Sequence, residues 1–278
     1  MALVFLIGIG VLLYPKASDL ISQWTSSASI NSYIEQVARL GDAGCEEELV
    51  EARAYNAALA AGEVGSYELS SGLDGQPVPE AVATVNPWVQ RVAMLKDAAM
   101  IGYIRIPKVD VYLPVYHGTS TKALENGVGH LDNTSLPVGG TNTHSVLSGH
   151  TGLPTAELLT NLDQLEIGDE FFVYVLGETL KYKVDQIKTV LPTETDDLSI
   201  VPDEDLVTLV TCTPYGINSH RLLVRARRTA YVETEELASA ASRSVWSEAV
   251  IVPSYAFAGF LSIVFMLGVL FKKLKRLS

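Results

Sequence analysis

The chain has 278 residues, with 32 acidic and 20 basic side chains, so its formal net charge is −12. That length predicts one main domain with appendages, or two domains at most. The acidic balance argues against nucleic-acid binding, which depends on clustered Lys and Arg. An acidic exterior mostly keeps a protein soluble, and it also attracts lysine-bearing partners.

Two apolar segments predict contact with a membrane. Residues 2–14 are short for a span; they suit a signal-peptide core or, as we favour, an uncleaved anchor with its N-terminus inside. Residues 249–271 carry no charge and are long enough to cross a bilayer with some tilt. The basic cluster that follows, at 272–276, belongs on the cytoplasmic side. The chain between the two segments is therefore predicted to lie outside the cell.

The part of the chain after the first apolar segment reads as helical. Apolar side chains recur at helical spacing within residues 18–62, among them Ile30, Tyr33, Ile34 and Val37. A second helix is predicted to start near Glu46, with acidic residues in its first turn. Residues 62–81 carry Gly, Ser and Pro and are predicted to form a loop.

From residue 101 the pattern changes to short β-rich runs separated by turns. Strands are predicted at 101–106, 109–115, 145–147, 170–175, 180–190, 207–212 and 221–227. Short helices are predicted at 122–126 and 156–162. Seven or eight short strands with one or two helices suit a closed β-barrel. The fold class is therefore predicted to be mainly β.

These patterns divide the chain into six segments. They are an N-terminal hydrophobic anchor or signal segment (1–15), a helical region (16–98), the β-barrel (99–231), a juxtamembrane linker (232–248), a transmembrane helix (249–271) and a basic cytoplasmic tail (272–278).

A cysteine and an arginine flank the turn of a predicted hairpin. Cys212 ends one β-branched run, and Arg221 opens the next after a Pro/Gly/Asn/Ser-rich segment. If the strands pair symmetrically about this loop, the two residues lie opposite each other, with Cβ atoms about 5 Å apart. A thiol beside a guanidinium favours the thiolate, which is the nucleophilic form. Taken alone, the pair also fits a buried Cys and a surface Arg.

His150 supplies a third functional group of the same kind. It ends the strand-like run that starts at Ser145 and enters a Gly/Pro turn. Cys, His and Arg at three strand ends can converge on one edge of a sheet. The other histidines, at 117, 130, 144 and 220, are predicted to be hydrogen-bonded structural or surface residues.

Several separate phrases resemble the sortases, cysteine transpeptidases of Gram-positive cell surfaces. Three phrases contain the candidate residues: Leu147-Ser-Gly-His150, Thr208-Leu-Val-Thr-Cys212 and His220-Arg221-Leu-Leu-Val. Longer phrases resemble class C, the pilin-polymerising branch: Ile104-Arg-Ile-Pro107, Leu113-Pro-Val-Tyr-His-Gly118, Gly127-Val-Gly-His-Leu131, Thr134-Ser-Leu-Pro-Val-Gly-Gly140 and Cys212-Thr-Pro-Tyr-Gly-Ile-Asn. The order of the phrases makes the signal more specific than one short motif.

The resemblance implies an eight-stranded sortase-type barrel and a transpeptidation through a thioester. Cys212 would be the nucleophile that attacks the Thr carbonyl of a Leu-Pro-X-Thr-Gly signal, and His150 the general acid and base. Arg221 would stabilise the oxyanion. The implied partners are pilin subunits with that signal and an acceptor lysine, together with the membrane. No cofactor or metal is expected.

The resemblance also implies a lid in front of the barrel. Class C sortases usually carry an Asp-Pro-aromatic motif there, and Asn86-Pro87-Trp88 is the nearest match. Trp88 would cover the thiol, whereas Asn86 would hold the catalytic Arg without a charge, so the latch should be weaker. The same residues also fit an ordinary turn. Asp74 is a less favoured latch.

Two other functions remain open from the sequence. One is a sortase of another class that anchors surface proteins to peptidoglycan. The other is a membrane-anchored pilus or adhesion protein without catalysis, which offers no reason for Cys, His and Arg at strand ends. A disulfide between Cys45 and Cys212 is not expected, because it would consume the nucleophile.

Overall fold

The described residues form a closed β-barrel with a long helix packed on its side. The computed structural model describes residues 2–63, 92–95 and 99–231. The helices are α1 (Ala2–Ala60) and α2 (Thr121–Asn126). The strands are β1 (Met100–Ile106), β2 (Val111–His117), β3 (Val128–His130), β4 (Thr143–Ser148), β5 (Glu170–Val175), β6 (Glu178–Val190), β7 (Asp205–Thr213) and β8 (His220–Thr229). Short 3-10 turns occupy Ala93–Leu95, Pro107–Val109, Leu162–Gln164 and Asp196–Leu198.

The eight strands close in the order β1-β2-β3-β4-β7-β8-β6-β5. The pairs β2/β3 and β4/β7 are parallel, and the other neighbours are antiparallel. Closure removes the exposed edges that an open sheet would leave unpaired. Alternate side chains point inward and form the core, which includes Ile104, Ile106, Leu147, Phe171 and Val224. The predicted eight-stranded barrel is confirmed.

Two local predictions in the barrel were wrong. Residues 156–162 form turns rather than a helix, because the chain reverses at Leu158, whose φ is 42°. The backbone N–H of Leu159 then donates to the carbonyl of His150 at 3.2 Å. Val109 belongs to the 3-10 turn opened by Pro107, so β2 begins later than predicted. Strand β3 has three residues and was not predicted, because so short a run carries no periodic signal.

Helix α1 begins earlier than the predicted helical stretch and is interrupted once. At Gly41 the backbone leaves the helical region, with φ 70° and ψ 171°, and a second helical stretch follows. Glycine adopts that conformation without the steric cost that a Cβ would bring. The second stretch thus starts a few residues before the predicted position near Glu46.

Polar side chains of α1 tie the helix to the barrel. Asn56 is buried and bonds both backbone groups of Leu136: its Nδ2 donates to the carbonyl at 3.0 Å, and its Oδ1 accepts from the N–H at 2.7 Å. The Tyr33 hydroxyl donates to the carbonyl of Ile101 at 3.0 Å and accepts from the N–H of Leu176 at 2.9 Å. Both side chains therefore satisfy backbone groups that neither sheet nor helix pairing reaches.

One predicted membrane segment, residues 2–14, forms the start of α1. The predicted span 249–271 and Asn86-Pro87-Trp88 lie outside the described residues. Among the helices of the described ranges, none is both long enough and apolar enough to cross a membrane.

We predict that Asn56→Ala lowers the free energy of unfolding by about 2–4 kcal/mol, because two buried backbone groups of Leu136 lose their partner. Urea denaturation followed by circular dichroism measures the loss. The control is Gln36→Ala, an exposed amide of the same helix that donates to the hydroxyl of Ser32. Equal midpoints for the two variants would contradict the assigned role of Asn56.

Candidate active site

The ends of three neighbouring strands carry the cysteine, histidine and arginine. Strand β7 lies between β4 and β8, and Cys212 occupies its penultimate position. In the antiparallel β7/β8 pair, Cys212 lies directly opposite Arg221. Opposed residues of a sheet present their side chains on the same face. The structure therefore brings the thiol and the guanidinium side by side, as the symmetric hairpin predicted.

His150 lies beside Cys212, on the side opposite Arg221. The parallel β4/β7 pair aligns Ser148 with Val210, and His150 and Cys212 each follow two residues later. Two bonds continue this register beyond the end of β4. The N–H of Gly149 donates to the carbonyl of Val210 at 3.0 Å, and the hydroxyl of Thr211 donates to the carbonyl of Gly149 at 2.8 Å. His150, Cys212 and Arg221 therefore lie abreast on three adjacent chain segments.

The arginine is held by its own loop. Its Nη1 donates to the carbonyl of Asn218 at 3.1 Å and to the carbonyl of His220 at 3.0 Å. Arg221 is only 6% exposed, whereas Cys212 and His150 are half-buried. The two carbonyls therefore fix the position of the buried guanidinium beside Cys212.

Glycines set the position of the histidine loop. A Cβ on Gly149 would lie 2.7 Å from Cδ1 of Leu159, so a side chain before His150 would displace this buried leucine. Gly152 has φ +76°, and a Cβ there would lie 2.8 Å from the ring of Tyr215. The loop after His150 therefore packs closely against the β7–β8 loop. The two loops that flank Cys212 are thus in direct contact.

The comparisons with known proteins identify the family. A sortase domain model matches residues 104–229. Sortase A of Staphylococcus aureus is 33% identical over 145 residues, which cover 50% of this chain and 67% of that protein. The chain belongs to the sortase family. It is therefore a cysteine transpeptidase, and membership disfavours the non-catalytic adhesion protein.

The solved structures that resemble this sortase include class C enzymes. Sortase C1 of GBS Pilus Island 1 is 43% identical, with a TM-score of 0.64 over 75% of this chain and 94% of that one. A sortase C of Clostridium perfringens, solved with the C-terminal cell wall sorting motif, is 41% identical, with a TM-score of 0.61 over 73% and 99%. The class C resemblance of the sequence phrases is confirmed.

Two of the other histidines of the sortase, His117 and His130, contact each other. His130 is fully buried; its Nε2–H donates to the carbonyl of Ser135 at 2.9 Å, and its Nδ1 lies 3.0 Å from Nδ1 of His117. Burial, and then the neighbouring His117, lower the pKa of His130 to about 3, so its ring is neutral. His117 in turn contacts Asp132 at 3.1 Å.

The other two histidines lie apart from this pair. His144 is buried, and its ring nitrogens contact the hydroxyl of Thr208 at 2.7 Å and the carbonyl of Ser199 at 2.8 Å. His220 contacts the hydroxyl of Ser219 at 2.9 Å. Both engage in local hydrogen bonds, as predicted for structural or surface histidines. The two cysteines are free, and Cys45 is buried in α1.

Sequence reasoning missed one charged residue of the site. Glu125 is exposed on α2, one residue before the helix ends and three before β3 begins. Burial lowers the pKa of His150, and the negative charge of Glu125 opposes that shift by raising it. No pattern in the sequence marked Glu125, because its proximity to His150 arises from the β2/β3/β4 pairing.

We predict that Glu125→Gln lowers the pKa of His150 further, since the imidazolium loses the nearby negative charge. A step that needs protonated His150 should then fail at lower pH than in the wild type. Titration of the His150 ring by NMR and the pH profile of kcat/KM measure the shift. Glu157→Gln, a carboxylate in the loop after His150, is the control. If the alkaline limb of the kcat/KM pH profile does not move in Glu125→Gln, this effect is contradicted.

Proposed function

We propose that this sortase cleaves a Leu-Pro-X-Thr-Gly-type signal between Thr and Gly and transfers the Thr acyl group to a lysine of a pilin subunit. The observation that carries the proposal is that His150, Cys212 and Arg221 lie side by side at the ends of three neighbouring chain segments. One nucleophile flanked by a proton carrier and a fixed cation is the arrangement that acyl transfer needs.

Cys212 opens the reaction as the nucleophile. Its thiolate attacks the Thr carbonyl carbon, and the C–N bond to Gly breaks while a C–S thioester bond forms. The leaving Gly-side nitrogen takes a proton from His150, which acts as general acid. The half-buried position of both side chains leaves them within reach of a substrate at the barrel edge.

The second step reverses the proton transfer with a different amine. A lysine Nζ attacks the thioester carbonyl, neutral His150 accepts the amine proton, and the C–S bond breaks to regenerate Cys212. The product is an isopeptide bond between two subunits. In both steps the carbonyl oxygen gains negative charge, which the Arg221 guanidinium stabilises.

Pilin as the acceptor is supported by the class C relatives. The GBS relative is named after a pilus island, and the Clostridium perfringens relative was solved with a cell wall sorting motif. The apolar segments at 2–14 and 249–271 support a catalytic barrel held at the outer face of the cell membrane, with a cytoplasmic tail. The Sortase A relative keeps one alternative open, an amine of peptidoglycan as acceptor.

Two acceptors decide between pilin polymerisation and wall anchoring. The full chain in detergent is incubated with a pilin that carries the signal, and with either a second pilin or a peptidoglycan-type stem peptide. Mass spectrometry identifies the new amide bond. Linkage to a pilin lysine supports the proposal. Linkage only to the stem peptide would instead show that the enzyme anchors proteins to the cell wall.

Cys212→Ala is predicted to abolish both the thioester and the polymer while the barrel still folds, because the nucleophile is removed. The thioester is measured by intact-mass spectrometry after a short incubation with signal peptide. Cys45→Ala is the matched control, since that thiol is buried in α1 away from the strand ends. High-mass polymers from Cys212→Ala would refute the nucleophile assignment.

Arg221→Lys is predicted to lower kcat/KM about 10²–10³-fold, because Lys lacks the planar donor fork that faces the oxyanion. Steady-state cleavage of a fluorogenic signal peptide measures it. Arg227→Lys, on the same strand at an exposed position, should cleave at the wild-type rate. Near-normal turnover in Arg221→Lys would show that charge alone suffices at this position.

We further propose that Asn86-Pro87-Trp88 acts as a lid over Cys212. Trp88→Ala should then speed alkylation of Cys212 by a small thiol reagent. With the lid in place, the reagent reaches the thiol only in the fraction of molecules whose lid is open. Asn86→Asp should slow alkylation, since a carboxylate holds Arg221 more strongly than an amide does.

The alkylation rate is followed across pH, with Trp246→Ala as the control aromatic outside the motif. Equal rates in the wild type, Trp88→Ala and Asn86→Asp would mean that the motif is only a turn.

A further inference from the structure

The exposed carboxylate of Glu125 stands at one end of the row of candidate catalytic groups. In the closed barrel β3 is followed by β4, which leads to His150, and then by β7 and β8, which carry Cys212 and Arg221. Glu125 belongs to the last turn of α2, shortly before β3. Along this edge the groups therefore follow one another as carboxylate, imidazole, thiol and guanidinium.

The pairing of β3 with β4 brings the end of α2 beside His150. Gly129 pairs with Ser148 in this antiparallel ladder. Two residues further out along each chain are position 127 and His150, so α2 ends next to the imidazole. Burial lowers the pKa of His150, and the negative charge of Glu125 opposes that shift, which agrees with this placement.

Close packing of α2 on the sheet keeps Glu125 on the outside. Leu124 is buried, whereas Glu125 is exposed. A Cβ on Gly129 would lie only 3.0 Å from Cδ2 of Leu124. A Cβ on Gly127 would lie 2.4 Å from the carbonyl oxygen of Pro114 in β2. The two glycines therefore let the helix lie directly against β2 and β3, which fixes the position of its last turn.

Glu125 has a charge that its own surroundings do not pair. Among the described residues it forms no ion pair, although Lys122 lies one turn earlier on α2. Glu157, in the loop after His150, instead pairs with Lys16 at 3.4 Å. An exposed, unpaired carboxylate beside the imidazole is available to a cation that a substrate brings.

The proposed reaction brings such a cation to this edge. The acceptor is a lysine, whose amine has an ordinary pKa of about 10.4 and therefore arrives as an ammonium. His150 must lie next to that amine, because it accepts the proton released in the attack. The carboxylate end of the row suits the ammonium, whereas the Arg221 end suits the oxyanion.

We propose that Glu125 is a specificity residue for the acceptor: its carboxylate pairs with the lysine ammonium and guides Nζ to the thioester from the α2 side of His150. This proposal rests on lysine transfer as the function of the sortase. One proton of the ammonium passes to water, and the neutral amine attacks the carbonyl carbon while His150 takes a second proton. Glu125 itself gains and loses no proton.

Transfer of the thioester to two different amines tests the proposal. The full chain in detergent receives a saturating signal peptide together with either a blocked lysine peptide, whose amine is charged at neutral pH, or hydroxylamine, which is uncharged. Mass spectrometry of the products at several acceptor concentrations gives KM and kcat for each amine. Glu125→Gln should raise KM for the lysine peptide about 2–5-fold, the effect of one exposed ion pair. KM for hydroxylamine should not change.

Two variants and salt serve as controls. Glu125→Asp keeps the charge on a shorter side chain and should recover part of the loss. Added salt should reduce the difference between the wild type and Glu125→Gln, because exposed charges are screened. Glu157→Gln removes a carboxylate from the loop after His150 and should keep the wild-type KM for both amines. A changed pKa of His150 alters kcat for both amines, so it does not produce a KM difference confined to lysine.

An unchanged KM for the lysine peptide in Glu125→Gln, or an equal rise for both amines, would overturn the proposal and leave lysine transfer intact. If only a pilin serves as acceptor, its KM replaces that of the peptide. Failure of the proposed function looks different: hydroxylamine releases the wild-type thioester, but no lysine of the peptide or of a second pilin accepts it. Recognition of lysine by Glu125 would then be refuted as well.

Discussion

The parallel pairing of β4 with β7 is the constraint on which the active site depends. It aligns Ser148 with Val210, and the bonds through Gly149 and Thr211 extend that alignment to His150 and Cys212. Because side chains alternate between the faces of a strand, a slip of one residue would turn His150 away from the thiol. The closed barrel prevents such a slip, since every strand is paired on both sides.

Burial distinguishes His130 from His150, the candidate catalytic histidine. His130 has no exposed surface and satisfies its ring nitrogens with His117 and with the carbonyl of Ser135. His150 is half-buried at a strand end and lies near the exposed carboxylate of Glu125. A group that exchanges a proton with a substrate needs access to it and a charge state that can change, which is the role that we propose for His150.

Helix α1 contacts the barrel at two places along its length. Asn56 and Tyr33 satisfy backbone groups of the barrel wall, which fixes the helix on the sheet. Further towards its start, Asp19 and Lys16 contact Glu157 in the loop after His150. The helix that is fixed on the barrel thereby also contacts the loop that follows His150.

The sequence by itself determined the family, the barrel and the hairpin that opposes Cys212 to Arg221. Those features follow from local signals: β-branched runs, turn residues between them and phrases in a fixed order. It did not determine strand β3 or the turn at Leu158, because a three-residue strand and a positive φ leave no periodic trace. Only the tertiary structure decided that His150 stands abreast of Cys212, 62 residues away, and that Glu125 acts on it. Both relations depend on which strands become neighbours in the closed barrel, and that choice is made by burial of the whole core and not by any local pattern.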